Sequence, residues 1–148
     1  MKPISLMTPA VAKAIRWVLT DVDDTLTENG LLDSAAYAAL CELAQSGLRV
    51  IAVTGRSAGW GEVHLREWPL DAVITETGAV SYFRDGEKGS GELVFPSAVP
   101  NDDPAIRRAA AAAYSAVPRA KAADDNRLRR FDYAIDHAER VSPPLGSD

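Results

Sequence analysis

The chain has 148 residues, 47% of them hydrophobic and 25% charged, which is enough for one domain with a real core. A net charge of −5 argues against a general nucleic-acid binder, and no apolar run is long enough to span a bilayer. The single cysteine, Cys41, allows no intrachain disulfide, and residues 1–16 lack a signal-type apolar core, so a cytoplasmic protein is expected.

The first element is a strand at 17–22, where Trp17-Val18-Leu19 leads into Asp21-Val22-Asp23-Asp24-Thr25. Asn29-Gly30 marks a turn in the loop at 24–32. Asp33 or Ser34 caps a helix running to about Ser46, with Ala36, Leu40, Leu43 and Ala44 on one face and Gly47 as its stop. Cys41 lies in that apolar pattern and packs as a small hydrophobe. Residues 48–53 form a second buried strand, 54–57 a turn, then a shorter helix reaches about Trp68, and 71–75 form a third strand. This βαβαβ order with short connections predicts a parallel sheet with right-handed crossovers. After Gly78 the pattern changes to a strand at 79–84, a turn at Asp85-Gly86 and a return strand at 92–95. Residues 96–103 are loop; Asp103-Pro104 opens a helix that runs through the alanines at 109–113 and ends near Pro118. Alternation at 129–135, with Phe131, Tyr133 and Ile135 on one side, predicts a half-buried strand, and 143–148 read as loop. Residues 1–84 thus form an α/β core and 85–148 the beginning of an α+β unit.

The chemistry gathers at strand ends. Strands of a parallel sheet deliver ligands and catalytic groups at their carboxyl ends. Spacing of two along extended chain puts Asp21 and Asp23 on one side. Two converging carboxylates can hold Mg²⁺, because hard cations take oxygen ligands, or divide labour as nucleophile and acid/base. An acidic turn is the plainer reading, since Asp and Thr bond their own backbone there. Thr54-Gly55-Arg56 weighs against it. This second strand end offers a hydroxyl, a glycine open to close approach and the amides of a helix start, which together suit a phosphate.

These residues resemble the haloacid dehalogenase (HAD) superfamily. Asp21-Val-Asp23-Asp24-Thr25 is similar to its first motif, usually Asp-x-Asp-Gly-Thr, and Thr54-Gly55-Arg56 to its second, as found in Cof-like and sugar-phosphate phosphatases. Ile74-Thr-Glu76-Thr77-Gly78-Ala-Val80 resembles the Glu-Asn-Gly-Ala segment of that branch, after which an α/β cap follows. The resemblance covers residues 16–84 and implies a HAD-like Rossmannoid three-layer sheet, here partial. It also implies a Mg²⁺-dependent phosphatase acting on a sugar phosphate or similar small phosphorylated metabolite. Asp21 would be the nucleophile, Asp23 the acid/base, and Thr54, Gly55 and Arg56 the phosphate ligands. Asp21 and the backbone carbonyl of Asp23 would hold the metal. Asp24 stands where Gly is usual and Thr77 where Asn is usual.

The family's third-motif Lys and its fourth-motif acids are not found. Lys121 with Asp124-Asp125 is only a local imitation, and Asn101-Asp102-Asp103 reads as a helix cap. The chain is therefore expected to be an N-terminal portion of a longer phosphatase, with an incomplete sheet edge open to self-association. His64 and His137 are read as packing or surface residues. Arg127, Arg129 and Arg130 suit at most one small anionic ligand; Arg129, Arg130 and Asp132 are read as the solvated face of the last strand. The alternative to an active enzyme is a remnant that binds phosphate esters without turnover. A receiver-type signalling domain would want its acceptor Asp at the third strand end, where Thr75-Glu76 stands.

Overall fold

The structure is a computed structural model that describes residues 3–86 and 89–146. The terminal loop is seen to Gly146; Ser147 and Asp148 lie outside the described residues.

A short helix, α1 (Pro9–Ala14), precedes the first strand and was not read from the sequence; the Thr8 hydroxyl accepts from the Val11 amide at 3.4 Å and Pro9 occupies the first turn. Strand β1 (Trp17–Asp21) follows. Strands β2 (Thr27–Glu28) and β3 (Leu31–Leu32) form a small hairpin whose Asn29 and Gly30 both have positive φ, as a primed turn requires. Helix α2 (Ser34–Gln45) starts where Asp33 Oδ1 accepts from the amides of Ala35 and Ala36 at 2.9 and 3.1 Å. Then come β4 (Arg49–Val53), α3 (Ala58–Glu67), β5 (Ala72–Thr75), β6 (Val80–Asp85) and β7 (Gly89–Val94). Helix α4 (Pro104–Ala116) is capped by Asp103, whose Oδ1 takes the Ala105 amide at 2.7 Å. Strands β8 (Lys121–Ala122) and β9 (Ile135–Asp136) pair antiparallel with each other.

The main sheet has the order β1-β4-β5-β6-β7. The first three strands are parallel and the last two join antiparallel. The boundary drawn at residue 84 falls inside the β6–β7 hairpin, which extends this same sheet.

Both crossover helices serve one apolar layer: Leu40 of α2 and Leu65 of α3 join Val50, Ala52, Val73, Leu70 and Trp68 in one buried cluster. Helix α3 lies so close to β5 that a Cβ on Gly61 would stand 2.3 Å from Thr75 Cγ2, so only glycine fits there. The opposite face of β1 and β4 carries Trp17, Leu19, Ile51 and Val53 by alternation. Trp17, Leu19 and Val53 on it are 53%, 62% and 37% exposed, while Val50 and Ala52 on the inner face are fully buried. The described residues therefore supply two layers, sheet and helices. Among them no helix is long and apolar enough to cross a membrane.

The strand expected at 129–135 is absent; only Ile135–Asp136 pairs, with Lys121–Ala122. The backbone there has other partners. The Arg130 and Phe131 amides donate to the Glu76 carboxylate, and the amide and carbonyl of Ala134 bond the Asn126 side chain at 2.9 and 2.7 Å. An amide that donates to a side chain has no second hydrogen for a ladder, so these three positions cannot pair through their N–H groups.

Candidate active site

Strand β1 ends in Asp21 beside Val53 of β4, so the Asp21-x-Asp23 and Thr54-Gly55-Arg56 turns share one rim of the sheet. Val22 is fully buried between its two exposed or half-exposed acidic neighbours, the alternation expected from a spacing of two. The chain then reverses sharply: the amides of Thr25, Leu26 and Thr27 all donate to the Val22 carbonyl, at 3.3, 2.9 and 3.0 Å. Asp24 sits at φ 57°, in the left-handed region. Asp is among the few residues that enter that region readily, which accounts physically for Asp where Gly is usual.

Asp23 is the meeting point. Its carboxylate accepts from Thr54 Oγ1 at 3.4 Å and from Arg56 Nε at 2.7 Å, and the Arg56 terminal nitrogen lies 2.6 Å from the same oxygen. The Arg56 amide donates to Thr54 Oγ1 at 3.0 Å, and the Thr54 amide is anchored on Ile74 of β5 at 2.9 Å. The hydrogen bond that Arg56 donates to Asp23 chiefly, and the charge of Asp23, raise the Arg56 pKa against the opposing effect of burial. The guanidinium also stands 5.8 Å from the centroid of the Trp60 ring and 3.8 Å from Glu139. Asp23, Thr54 and Arg56 are thus in one hydrogen-bonded group. Asp21 sits on the same rim, exposed and outside those bonds; Gly55 is exposed, and its carbonyl accepts from Arg129 at 3.0 Å.

The helix start is not open in the way the sequence led us to expect. The Ser57 amide donates to Asp125 Oδ2 at 3.1 Å and the Ala58 amide to Glu76 Oε1 at 2.7 Å. Two of the amides available to an anion at the start of α3 already serve the chain's own carboxylates. The Ser57 hydroxyl, in the usual capping position, is buried without a partner.

Sequence reasoning did not single out Glu76, Asp125 or Arg129 for this work. Glu76 is buried, and besides Ala58 it receives the Arg130 amide at 3.0 and 3.1 Å and the Phe131 amide at 2.7 Å. It reaches them from a strained bend: Glu76 and Thr77 have φ of 48° and 56°. For a β-branched residue such as Thr77 that region is an outlier, which gives physical content to the Asn that is usual at this position. Arg129, read as part of a solvated face, is buried instead. It binds Asp125 through two nitrogens at 3.1 Å each and Asp132 at 2.8 and 3.0 Å. Burial works against the Arg129 charge, but the hydrogen bonds it donates to Asp132 and Asp125 prevail and raise its pKa; burial raises that of Asp132 despite Arg129. The local signal was the Asp125/Arg129 spacing of four. For Glu76 it was a charged residue directly after a buried strand.

The remaining candidates fall elsewhere. Lys121 Nζ donates to the Arg140 carbonyl at 3.4 Å and Asp124 pairs with Arg140. The Asn101 side chain donates to the Arg129 carbonyl at 2.5 Å. His64 is buried between Trp60 and Trp68, with ring centroids 5.7 and 4.1 Å away, and His137 is exposed. Arg130 pairs with Glu92 across the β6–β7 side. Among the described residues no group of three or more His, Cys, Asp or Glu side chains is placed to hold a metal ion.

No family model matches this sequence, and no curated protein matches it. Among solved structures, a Thermoplasma acidophilum protein is similar over 82% of this chain and 51% of its own, with TM-score 0.68 and 19% identity. A Bacteroides thetaiotaomicron phosphatase of the haloalkanoate (HAD) enzyme superfamily is similar over 80% of this chain and 41% of its own, with TM-score 0.52 and 26% identity. The chain spans about half the length of these neighbours or less. With its parallel β1-β4-β5 core and an acidic turn meeting Thr54 and Arg56, the chain has the HAD-like α/β fold.

Proposed function

We propose that this chain carries the phosphoryl-transfer end of a cytoplasmic HAD-type phosphatase. The substrate class is a sugar phosphate or similar small phosphorylated metabolite. The observation that carries this reading is the convergence of Asp23, Thr54 and Arg56 on the rim where Asp21 ends β1.

In this reading an Asp21 carboxylate oxygen attacks phosphorus and the bond from phosphorus to the leaving oxygen breaks, giving an aspartyl-phosphate. Asp23 gives its proton to the leaving alcohol. It then takes a proton from the water that cleaves the intermediate, releasing phosphate and restoring Asp21. Thr54, the Gly55 amide and Arg56 hold the phosphoryl oxygens. Arg56 must leave Asp23 for either residue to act, and an incoming dianion competes for that guanidinium. Asp21 and the backbone carbonyl of Asp23 are oxygen donors of the kind a hard cation takes, two in number, which suits an ion that keeps most of its waters. When bound, Mg²⁺ supplies charge neutralisation between carboxylate and substrate.

A second reading rests on a different observation. Asp23, the proposed acid and base, is held by Arg56 in a chain whose described residues offer no three-acid cluster. That arrangement favours a protein that binds phosphate esters without turning them over. Phosphate release from a panel of sugar phosphates with Mg²⁺, for the chain and for Asp21→Asn, separates the two. Turnover that falls at least about a thousandfold in Asp21→Asn and stops with a chelator supports the enzyme. Calorimetric binding of inorganic phosphate without turnover supports the second reading, and neither turnover nor binding removes both.

A further inference from the structure

The turn after β4 is fixed one peptide plane at a time. The carbonyl of one residue and the amide of the next form one rigid unit, so a hydrogen bond at each end sets its orientation. In the unit joining Gly55 to Arg56, the amide donates to Thr54 Oγ1 at 3.0 Å and the carbonyl accepts from Arg129 Nη1, also at 3.0 Å. In the next unit, the Arg56 carbonyl accepts from the Glu76 amide at 3.0 Å and the Ser57 amide donates to Asp125 Oδ2 at 3.1 Å. Asp125 is itself held by Nε and Nη2 of Arg129. Arg129 therefore reaches the first unit directly and the second through Asp125.

A guanidinium suits this work. Its donors form a planar fork, and here the fork divides among Asp125, Asp132 and the Gly55 carbonyl. Stability alone does not account for such a buried group. A buried ion cluster is often no more stable than an apolar one of the same volume; what it can supply is a defined geometry. The geometry set here is that of Thr54. Because Thr54 Oγ1 accepts from the Arg56 amide, its own hydrogen is left to donate, and Asp23 Oδ2 takes it at 3.4 Å. A rotated Gly55–Arg56 plane would withdraw that amide and free the hydroxyl to turn.

We propose that Arg129 is a positioning residue of the phosphate-binding turn: it fixes the Gly55–Arg56 peptide so that the Thr54 hydroxyl hydrogen faces the anionic side of the rim. This role rests on the phosphoryl-transfer reading, in which a phosphoryl oxygen replaces Asp23 as the acceptor of that hydrogen. A residue 74 positions after Gly55 thereby shapes the site without touching what the site binds.

Residue-resolved amide exchange tests the clamp, and calorimetric titration with inorganic phosphate tests its use. Arg129→Lys keeps the charge but loses the fork. Exchange of the Arg56 amide should rise at least about tenfold, the scale of one charge-assisted hydrogen bond, while the Ala58 amide, held by Glu76, keeps its protection. Inorganic phosphate should bind at least about tenfold more weakly. Arg129→Gln should give the same pattern and takes the place of the lysine variant if that one does not fold. Asn126→Ala loosens the same segment at Ala134 without touching the turn, and should change neither readout. Equal loss of protection at Arg56 and Ala58 would mean that Arg129 only fastens the segment, and overturns the proposal. Unchanged Arg56 exchange in a folded Arg129 variant, or the same changes in Asn126→Ala, overturns it as well. A wild type that binds phosphate no better than Arg129→Lys removes this role alone; a wild type that binds none removes the phosphoryl-transfer reading and this role with it.

Discussion

The sheet with its two crossover helices and the segment from 124 to 132 are held in different ways. In the first, backbone ladders between β1, β4 and β5 carry the hydrogen bonding, and Leu40, Leu65, Leu70 and Val73 fill one apolar layer beneath them. In the second, backbone amides end on side chains: Glu76 holds Arg130 and Phe131, Asn126 holds Ala134, and Arg129 binds two aspartates and the Gly55 carbonyl. The first region draws its stability from removal of apolar surface, a diffuse effect. The second draws on a few charge-assisted bonds, each of which matters singly. The candidate site lies where the two meet, since the turn after β4 is built by the sheet and held from outside by Asp125, Glu76 and Arg129.

The sharpest way to break this contrast is to injure each region once. Leu70→Ala removes a fully buried side chain from the layer and should cost about 3 kcal/mol, with amide-exchange protection falling together across the sheet. Glu76→Ala leaves the Ala58, Arg130 and Phe131 amides without their acceptor. It should cost about 2–3 kcal/mol, with protection lost first at 124–132. Urea denaturation and residue-resolved exchange read both. Equal loss of protection in β4 and at 124–132 in the Glu76 variant would mean that the regions are one.

A smaller effect belongs to the helix layer alone. Burial, and next the charge of Arg56, hold the His64 pKa below its ordinary 6.5. The unfolded chain therefore takes up a proton that the folded one refuses. Stability should be intact above about pH 6.5 and fall as the solution is acidified below it, by at most about 1.4 kcal/mol per pH unit for one proton. Comparing unfolding free energies from pH 7.5 to 5.5 with those of His64→Phe isolates the effect; an unchanged slope in the variant would assign it elsewhere.

The smallest effect is at the junction. A serine that caps a helix usually costs about 1 kcal/mol to remove. Ser57 has no hydrogen bond through its buried hydroxyl, and the helix start is served by Asp125 and Glu76. Ser57→Ala should be neutral or stabilising by up to about 1 kcal/mol. A loss of that size in thermal unfolding would show that the hydroxyl does cap the helix.

These differences explain what could be read in advance. The βαβαβ core was legible because each strand and helix announces itself within its own window: an apolar run, an Asp33 cap, a Gly47 stop. The site was half legible. Asp21, Asp23 and Thr54-Gly55-Arg56 stand at strand ends, and parallel neighbours bring such ends together without further information. The Glu76 tie and the reach of Arg129 to the Gly55 carbonyl were not legible, because their partners lie 18 to 74 residues away. The alternation at 129–135 even pointed the wrong way, since apolar period two also arises where extended backbone is held by side chains. The hairpin at β2–β3 shows the opposite case, a turn given away by two adjacent residues.

The reach of Glu76 also bears on the order of assembly. Its carboxylate joins the end of β5 to an amide 54 residues further along, and Arg129 spans 74 residues to Gly55. Closing intervals of that length costs conformational entropy before any bond forms, whereas α2, α3 and the Asn29-Gly30 hairpin close locally. The acceptor itself exists only once β5 has ended against β4 and the bend at Glu76-Thr77 has been forced into place. The C-terminal segment is therefore a late arrival in folding, docking onto a platform that the earlier residues complete first.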